Sequence, residues 1–477
     1  MIILNICKSL FEYLNHQNIR YCHWKSNAHL EKALHGKTDL DLLIHTDDRR
    51  QFEQACKQFA IKKILSPPEK QFPGLEDYLG FDHDTGHLIH LHVHYNLILG
   101  QKYIKNHHLP IENIIFQNLT LKDGVAIPCP EMELILLIIR AHLKIDPISL
   151  LKHGIRNLQG QKYTPFPFDI EEELSVLISN CDTEKFKDIL SACHLPIPTT
   201  LFTAFINKLS GKRYKCYDAF KTKKQITSSL KGFRRRKGIS LFLKYVYLNL
   251  LNSRGLRIFI NQKKKKLVGK GKILSFVGAD GSGKSTLVAD LEKWLSWKLS
   301  VKRYYYGIPK HGLINFIDYA IRATRKLNVD FLATFIENCL WVLVARARYK
   351  VFLASRKDTS QGTVVLTDRF PLQEFHNMEP PMDGPRLRTS TTKTGRCLSR
   401  LESNYYDKIE RPDCMFVLQA NIDELRRRKT DLDLSTHKNK ANAVSAIKGN
   451  AQIILIDANK PYADVQLELK KNIWEFL

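Results

Sequence analysis

Apolar positions recur along the 477-residue chain with two different periods. Up to about residue 145, alternating stretches such as DLDLLI and HLIHLHVHYNL carry the period of half-buried strands and lie between stretches with helical spacing. The opening MIILNICKSLFEYLNHQNI holds Lys8 and Glu12 inside its apolar run and lacks a small-residue cleavage site. It therefore predicts a domain's first helix rather than a signal sequence. EMELILLIIRAHLKI is dense enough in apolar residues to predict a buried helix. From about Gly271, short apolar runs such as KILSFV and VVLT alternate with amphipathic stretches such as TLVADLEKWLS, the pattern of a parallel α/β domain.

Between these regions the chain mixes helical stretches, proline-bearing loops (TPFPF, LPIP) and a basic segment. The expected fold class is α/β with three parts. An α+β domain spans 1–148, a mainly helical, basic connecting region spans 149–270, and a P-loop parallel α/β domain spans 271–477. There is no internal repeat, and no segment holds the roughly 18 uninterrupted apolar residues of a membrane span.

Hydrophobic residues at 44% and charged residues at 26% exclude wholesale disorder. Ten cysteines without a CxxC pair fit reduced thiols, and hence a cytoplasmic protein, better than a disulfide framework or zinc site. The net charge of +26 is concentrated: from Ala219 to Ala279 there are 17 Lys or Arg and no acidic residue, with RRRK at Arg234 and KKKK at Lys263. Such a belt attracts polyanions, although a solvated basic linker has the same composition. LFLKYVYLNLL inside it suits a helix lying on a membrane surface and equally a buried one. The expected partner of residues 219–272 is an anionic membrane surface, giving a cytoplasmic protein peripheral to the membrane. Nucleic acid is disfavoured, because the belt contains no recognisable DNA- or RNA-binding module.

KILSFV, GADGSGKS and TLVADLEKWLS read as strand, GxxxxGK[ST] loop and helix. The cradle runs through Gly278, Ala279, Asp280, Gly281, Ser282, Gly283, Lys284, Ser285 and Thr286. Its glycines let consecutive backbone N–H groups and the helix's positive end face phosphate oxygens. In such a loop Lys284 pairs with the β- and γ-phosphates and Ser285 ligates Mg²⁺. Downstream, VVLTDRF delivers Asp368 and Arg369 at a strand's carboxyl end. There an Asp can hold magnesium or its water and an Arg can clamp an anionic acceptor.

With GADGSGKST, VARARYKVFLASRKDTSQGTVVLTDRF, RPDCMFVLQANIDELRRRK and ILIDANKPYADV, residues 271–477 resemble the thymidylate kinase family of P-loop nucleoside monophosphate kinases. The resemblance covers somewhat under half the chain and implies ATP and Mg²⁺ as cofactors. It implies that Asp280 faces the acceptor, that Arg346 or Arg348 binds acceptor phosphate, and that Asp368 with Arg369 stands for the DR[YH] motif. It also places Arg426 to Lys429 at the start of the lid, with one or more of these arginines, Arg427 among them, closing over the transferring phosphate, and it is compatible with a homodimer. The acceptor half departs from the family: YYYGIPKHG replaces a REPGGT-like stretch, FPLQEF follows the DR pair, and PPMDGPRL has no counterpart. The acceptor is therefore expected to be a nucleotide other than thymidylate, a sugar phosphate or a glycan.

In the first half, YCHWKSN, GKTDLDLLI and HLIHLHVHYNL form a second constellation. Asp39 and Asp41 alternate, so both carboxylates share one face, as needed to hold a divalent metal against a nucleoside triphosphate. With Lys25 and Ser26 upstream, this resembles the polymerase-β-like nucleotidyltransferase fold, in which a third carboxylate comes from a later strand. Here that strand offers His90, His92 and His94, with His92 as the replacement. Imidazole favours softer metals than Mg²⁺ and brings no negative charge. The resemblance to fusions of this kind suggests an association with bacterial surface polysaccharide production, a context that fits a basic belt beside an anionic membrane and a small anionic or glycan-borne acceptor. Three readings stay open on the sequence: an ATP-dependent kinase, a nucleotidyltransferase acting through Asp39 and Asp41, and an ATP-responsive scaffold on an anionic surface.

Overall fold

The computed structural model describes residues 3–101, 104–145, 165–211, 213–252, 264–308, 312–327, 329–371, 384–387, 392–429 and 434–477. The chain divides into two compact units, Met1–Lys263 and Lys264–Leu477. Unit 1 therefore takes in most of the region expected to be a separate connector over 149–270. The physical reason is apolar burial: Phe186, Ile189, Phe202, Phe205 and Ile226 join the same core as the amino-terminal strands.

Unit 1 opens with α1 (Asn5–His16), whose Leu10, Phe11 and Leu14 are buried as its apolar spacing predicts. Its central sheet takes β1 (Tyr21–His23), β2 (Leu40–Ile44), β3 (Lys62–Leu65), β4 (Leu75–Phe81) and β5 (Leu88–His94), with α2 (Leu30–Leu34) and α3 (Arg49–Gln58) between strands. Neighbours run β1-β2-β5-β4-β3. The β2–β5 pair is parallel and sets Asp41 opposite His92, and the β5–β4 pair is antiparallel and sets Asp77 opposite His92. Two short ribbons follow, β6 (Ile98–Leu99) with β7 (His107–His108) and β8 (Leu119–Lys122) with β9 (Val125–Pro128), flanking α4 (Glu112–Gln117).

Helix α5 (Pro130–Lys144) is the buried helix the apolar run predicts, enclosed from Glu131 to Leu143. It starts with proline at its first position, where no N–H is missed. Its polar groups find partners: Glu133 accepts from the Asn27 N–H at 3.1 Å, and Arg140 pairs with Glu173 at 3.3 Å. Helices α6 (Phe168–Ser179), α7 (Thr183–Ala192), α8 (Thr199–Ser210), α9 (Cys216–Ser229) and α10 (Ile239–Asn252) complete the unit.

His142 of α5 shows what such burial does to a titratable group. Its Nδ1 donates to the Ile138 carbonyl at 2.7 Å, so in the neutral ring Nε2 accepts from the Tyr214 hydroxyl at 2.7 Å. Burial, opposed by the Ile138 bond and helped by Lys223, lowers its pKa from 6.5 to about 4. A depressed folded pKa means the full stability is present above pH 6.5 and is lost as pH falls toward 4. In urea unfolding at pH 4.5 and 7, His142→Phe is therefore expected to remove on the order of 2 kcal/mol of that acid sensitivity. An unchanged difference between the two pH values would contradict this.

The basic belt is not a free linker where it can be described. The Arg235 N–H donates to the Asn106 carbonyl at 2.8 Å and the Arg236 N–H to Asn106 Oδ1 at 2.9 Å. Arg235 and Lys244 both lie over the Phe72 ring. On α10, Ile239, Phe242, Leu243, Val246 and Tyr247 are exposed, an apolar stripe at helical spacing. The rest of the belt up to Lys263 lies outside the described residues, as do 149–164 of the expected connector. Among the described residues, no helix is long and apolar enough to cross a membrane.

Unit 2 holds the short β10 (Lys266–Leu267) and then five parallel strands: β11 (Ile273–Gly278), β12 (Val301–Tyr304), β13 (Val364–Thr367), β14 (Cys414–Gln419) and β15 (Ile453–Asp457). Their order is β12-β13-β11-β14-β15. The first strand lies in the middle, so the order reverses beside β11, and ligands of open α/β sheets bind at the carboxyl ends there. Its helices are α11 (Lys284–Leu295), α12 (Gly312–Lys326), α13 (Asp330–Ser360), α14 (Lys393–Tyr406), α15 (Ile422–Arg428), α16 (Leu434–Ser445) and α17 (Tyr462–Phe476).

Candidate functional site

At the carboxyl end of β11 the chain turns through Gly278–Gly283 into α11, the strand, loop and helix read from the sequence. Gly281 and Gly283 both stand at φ +88°, the left-handed region that glycine enters without strain. A Cβ on Gly278 would sit 2.6 Å from Ser282 Oγ, and one on Gly281 would sit 2.8 Å from the Leu425 carbonyl. Glycine at these positions is what lets the loop close tightly against β14 and α15.

Lys284 Nζ donates to the Gly278 and Ala279 carbonyls at 2.8 and 2.7 Å. Ser285 Oγ lies 3.4 Å from Asp368 Oδ2, so the loop's hydroxyl and the carboxylate following β13 meet. Asp368 is buried; its Oδ2 takes the Arg303 guanidinium at 2.5 Å, while its Oδ1 is buried without a hydrogen-bond partner. Asp280 pairs with Lys440 of α16 at 2.5 Å and stands 3.9 Å from Arg369. Burial pushes the Asp280 carboxyl up, but Lys440, Lys284 and Arg369 outweigh it and hold it below the usual carboxylate range. Thr286 is exposed in the first turn of α11.

Several expected residues stand elsewhere. Arg348 is 1% exposed, and its guanidinium donates to the Tyr306 carbonyl and the Tyr406 hydroxyl at 2.7 Å each. That arrangement ties α13 to α14 and buries Arg348, one of the two arginines, Arg346 or Arg348, expected at the acceptor phosphate. Arg346, two residues earlier, is exposed. Arg427 is bound to Glu424 of its own helix, and Arg428 reaches both Glu424 and the Ala458 carbonyl, so local pairs hold the expected lid arginines. Residues 430–433, which follow them, lie outside the described residues, as do parts of YYYGIPKHG, FPLQEF and PPMDGPRL. The described end of the last of these is held by the buried Glu402, which accepts from the Arg386 and Leu387 N–H groups at 2.9 and 2.7 Å. Of the altered acceptor stretch, Tyr305 lies 5.8 Å under the Arg369 guanidinium.

Sequence reasoning missed Arg303 and Lys440. Arg303 follows from strand order alone, since β12 borders β13, but its basic neighbour Lys302 left no local cue as to which side chain points inward.

Unit 1 carries its own polar cluster on one sheet face. The expected metal set Asp39, Asp41 and His92 is rearranged. Strand β2 begins only at Leu40, and Asp39 lies 2.9 Å from His90 Nδ1 instead of joining His92. Asp41 pairs with Lys25 at 2.7 Å. Asp77, which the sequence reading overlooked, stands 2.9 Å from His92 Nδ1 and 3.2 Å from His90 Nε2. Lys105 Nζ lies 3.4 Å from His92 Nε2, and burial with repulsion from Lys25 lowers its pKa to about 7. The same causes lower Lys144 to about 8.

No family model matches the chain. It is similar to the uncharacterized ATP-binding protein YghR of Escherichia coli K12, 26% identical over 218 residues covering 42% of this chain and 86% of YghR. It is also similar to the uncharacterized ATP-binding protein YghS of the same organism, 24% identical over 233 residues covering 43% of this chain and 94% of YghS. A thymidylate kinase structure from Candida albicans matches with a TM-score of 0.29 at 17% identity, covering 43% of this chain and 90% of that one.

Proposed function

We propose that unit 2 is an ATP-dependent phosphotransferase that moves the γ-phosphate to a small or glycan-borne anionic acceptor, such as a nucleotide or sugar phosphate. One observation carries the reading: Lys284, Ser285, Asp368, Arg303 and Asp280 converge at the carboxyl ends of β11 and β13, on a glycine loop opening a helix. The ATP-binding names of the YghR and YghS relatives support the donor.

The oxygens of Ser285 and Asp368, with Asp368 Oδ1 lacking a partner, are the hard donors that Mg²⁺ prefers, so these two residues would hold it. Bound there, Mg²⁺ supplies charge neutralisation on phosphate oxygens. The loop N–H groups and the start of α11 receive the donor's phosphates. Lys284, now on its own loop's carbonyls, is placed to move onto phosphate oxygens, while Arg303 and Arg369 neutralise developing charge. Asp280, kept anionic by Lys440, orients the acceptor. Such transfer needs positioning and charge more than a strong base.

The test incubates the full chain with Mg·ATP and a cell extract supplying acceptors, labelled once on the γ- and once on the α-phosphate. Product carrying γ label alone, absent with Lys284→Ala, is expected. Product carrying α label, lost in Asp39→Ala, would move the chemistry to unit 1. No labelled product would favour an ATP-responsive scaffold.

A further inference from the structure

The histidines of β5 raise a question that the phosphotransferase of unit 2 does not answer. On a strand, residues two apart share a face, so His92 and His94 point the same way, and the parallel register sets Asp41 of β2 directly opposite His92. One ligand atom from each of Asp41, His92 and His94 lies within 4.8 Å of the other two. His94 is 1% exposed, yet both of its ring nitrogens lack a hydrogen-bond partner, a costly state for a buried imidazole. Its ring packs edge-on to Trp24 and to His92, which holds it facing the cluster.

From this geometry we infer that unit 1 binds a divalent transition-metal ion, with zinc as the best chemical match, through Asp41, His92 and His94. Two imidazoles and one carboxylate suit zinc, whereas Mg²⁺ prefers oxygen donors alone. Asp77 supplies the usual support: its carboxylate holds His92 Nδ1 at 2.9 Å and so leaves Nε2 for the metal. Ligand atoms around tetrahedral zinc stand roughly 3.3 Å apart, so the cluster needs only modest side-chain rotation to close. The Lys105 side chain, 3.4 Å from His92 Nε2, would have to move aside for the metal to enter. Lys25 bonds to Asp41 Oδ1 at 2.7 Å, and a carboxylate has a second oxygen to give.

Charge then defines the fourth position. A dication with one carboxylate and two neutral imidazoles keeps one positive charge, and Lys25, paired with Asp41, adds to it. The open position therefore takes an anionic oxygen ligand, of which a phosphate group is the commonest biological form.

The test strips the full chain with a chelator and titrates it with Co²⁺, read by its visible d–d band, and with Zn²⁺ by competition. One equivalent should bind with a band typical of nitrogen and oxygen ligands and without thiolate charge transfer. Asp41→Asn and His94→Gln should each weaken binding at least about tenfold, and Asp77→Asn by about 10- to 100-fold. Inorganic phosphate should perturb the Co²⁺ band; an unchanged band overturns the anionic fourth ligand. Should a variant misfold, the wild-type chain decides through nitrogen NMR of its imidazoles, where Zn²⁺ should shift two histidines. No saturable binding, equal binding in the variants, thiolate charge transfer or no imidazole shift would overturn the metal site, and none of these outcomes bears on unit 2.

Discussion

Replacing Lys284 by alanine is expected to lower phosphoryl transfer by about 100- to 1,000-fold while leaving unit 2 folded. The loop's turns have other determinants besides this side chain. These are Gly281 and Gly283, both at φ +88°, and the close approach of Gly278 to the Leu418 carbonyl. What Lys284 provides is a cation at the mouth of the loop, where its Nζ spans the Gly278 and Ala279 carbonyls. Negative charge shifts among phosphate oxygens as the transferred group leaves, so the lost interaction is stronger in the transition state than in the ground state. The rate should therefore fall further than the affinity for a fluorescent ATP analogue. Thermal unfolding within a degree or two of wild type would confirm the fold. A full rate in Lys284→Ala would remove Lys284 from the site and with it the reading of unit 2.

The parts of this site that could be read from the sequence are those built from consecutive residues. Strand, glycine loop and helix follow one another between Ile273 and Leu295, and each has a local signature: an apolar run, glycines where φ is positive, then helical spacing. Asp368 was legible because an apolar run points to its own carboxyl end. Arg303 and Lys440 were not, because the contacts that make them part of the site span 65 and 160 residues of sequence. Between Arg346 and Arg348 the difficulty was a different one. A basic helix gives no indication of which arginine is buried, and the Tyr306 carbonyl and Tyr406 hydroxyl that receive it lie on other segments.

Unit 1 follows the same logic. The alternation of HLIHLHVH correctly put three histidines on one face, and EMELILLIIRAHLKI correctly gave a buried helix. Asp77 went unnoticed because LEDYLGF has no clean alternation: the strand is buried from Asp77 through Phe81. Its partnership with His92 comes only from antiparallel pairing. The extent of unit 1 was also hidden, because the helices between Phe168 and Ser229 bury only narrow apolar faces, and these become informative once α5 is there to receive them.

The pairing of Asp368 with Arg303 leads to the second large effect, since the same carboxylate is claimed by a guanidinium and, in the reading of unit 2, by Mg²⁺. Asp368→Asn removes the charge both partners use. Turnover should fall by about 100-fold or more, and the Mg²⁺ concentration giving half-maximal turnover should rise by about tenfold, equivalent to about 1.4 kcal/mol. Arg303→Met acts on the other side of the pair. It leaves Asp368 buried with no cation at 2.5 Å, so Mg²⁺ no longer competes with the guanidinium and its half-maximal concentration should fall. The rate should fall too, because one positive charge near the transferring phosphate is gone. Opposite shifts in Mg²⁺ dependence with losses of rate in both variants would distinguish a shared metal carboxylate from a structural ion pair. A structural pair would weaken the fold in both variants alike and leave the Mg²⁺ titration where it was.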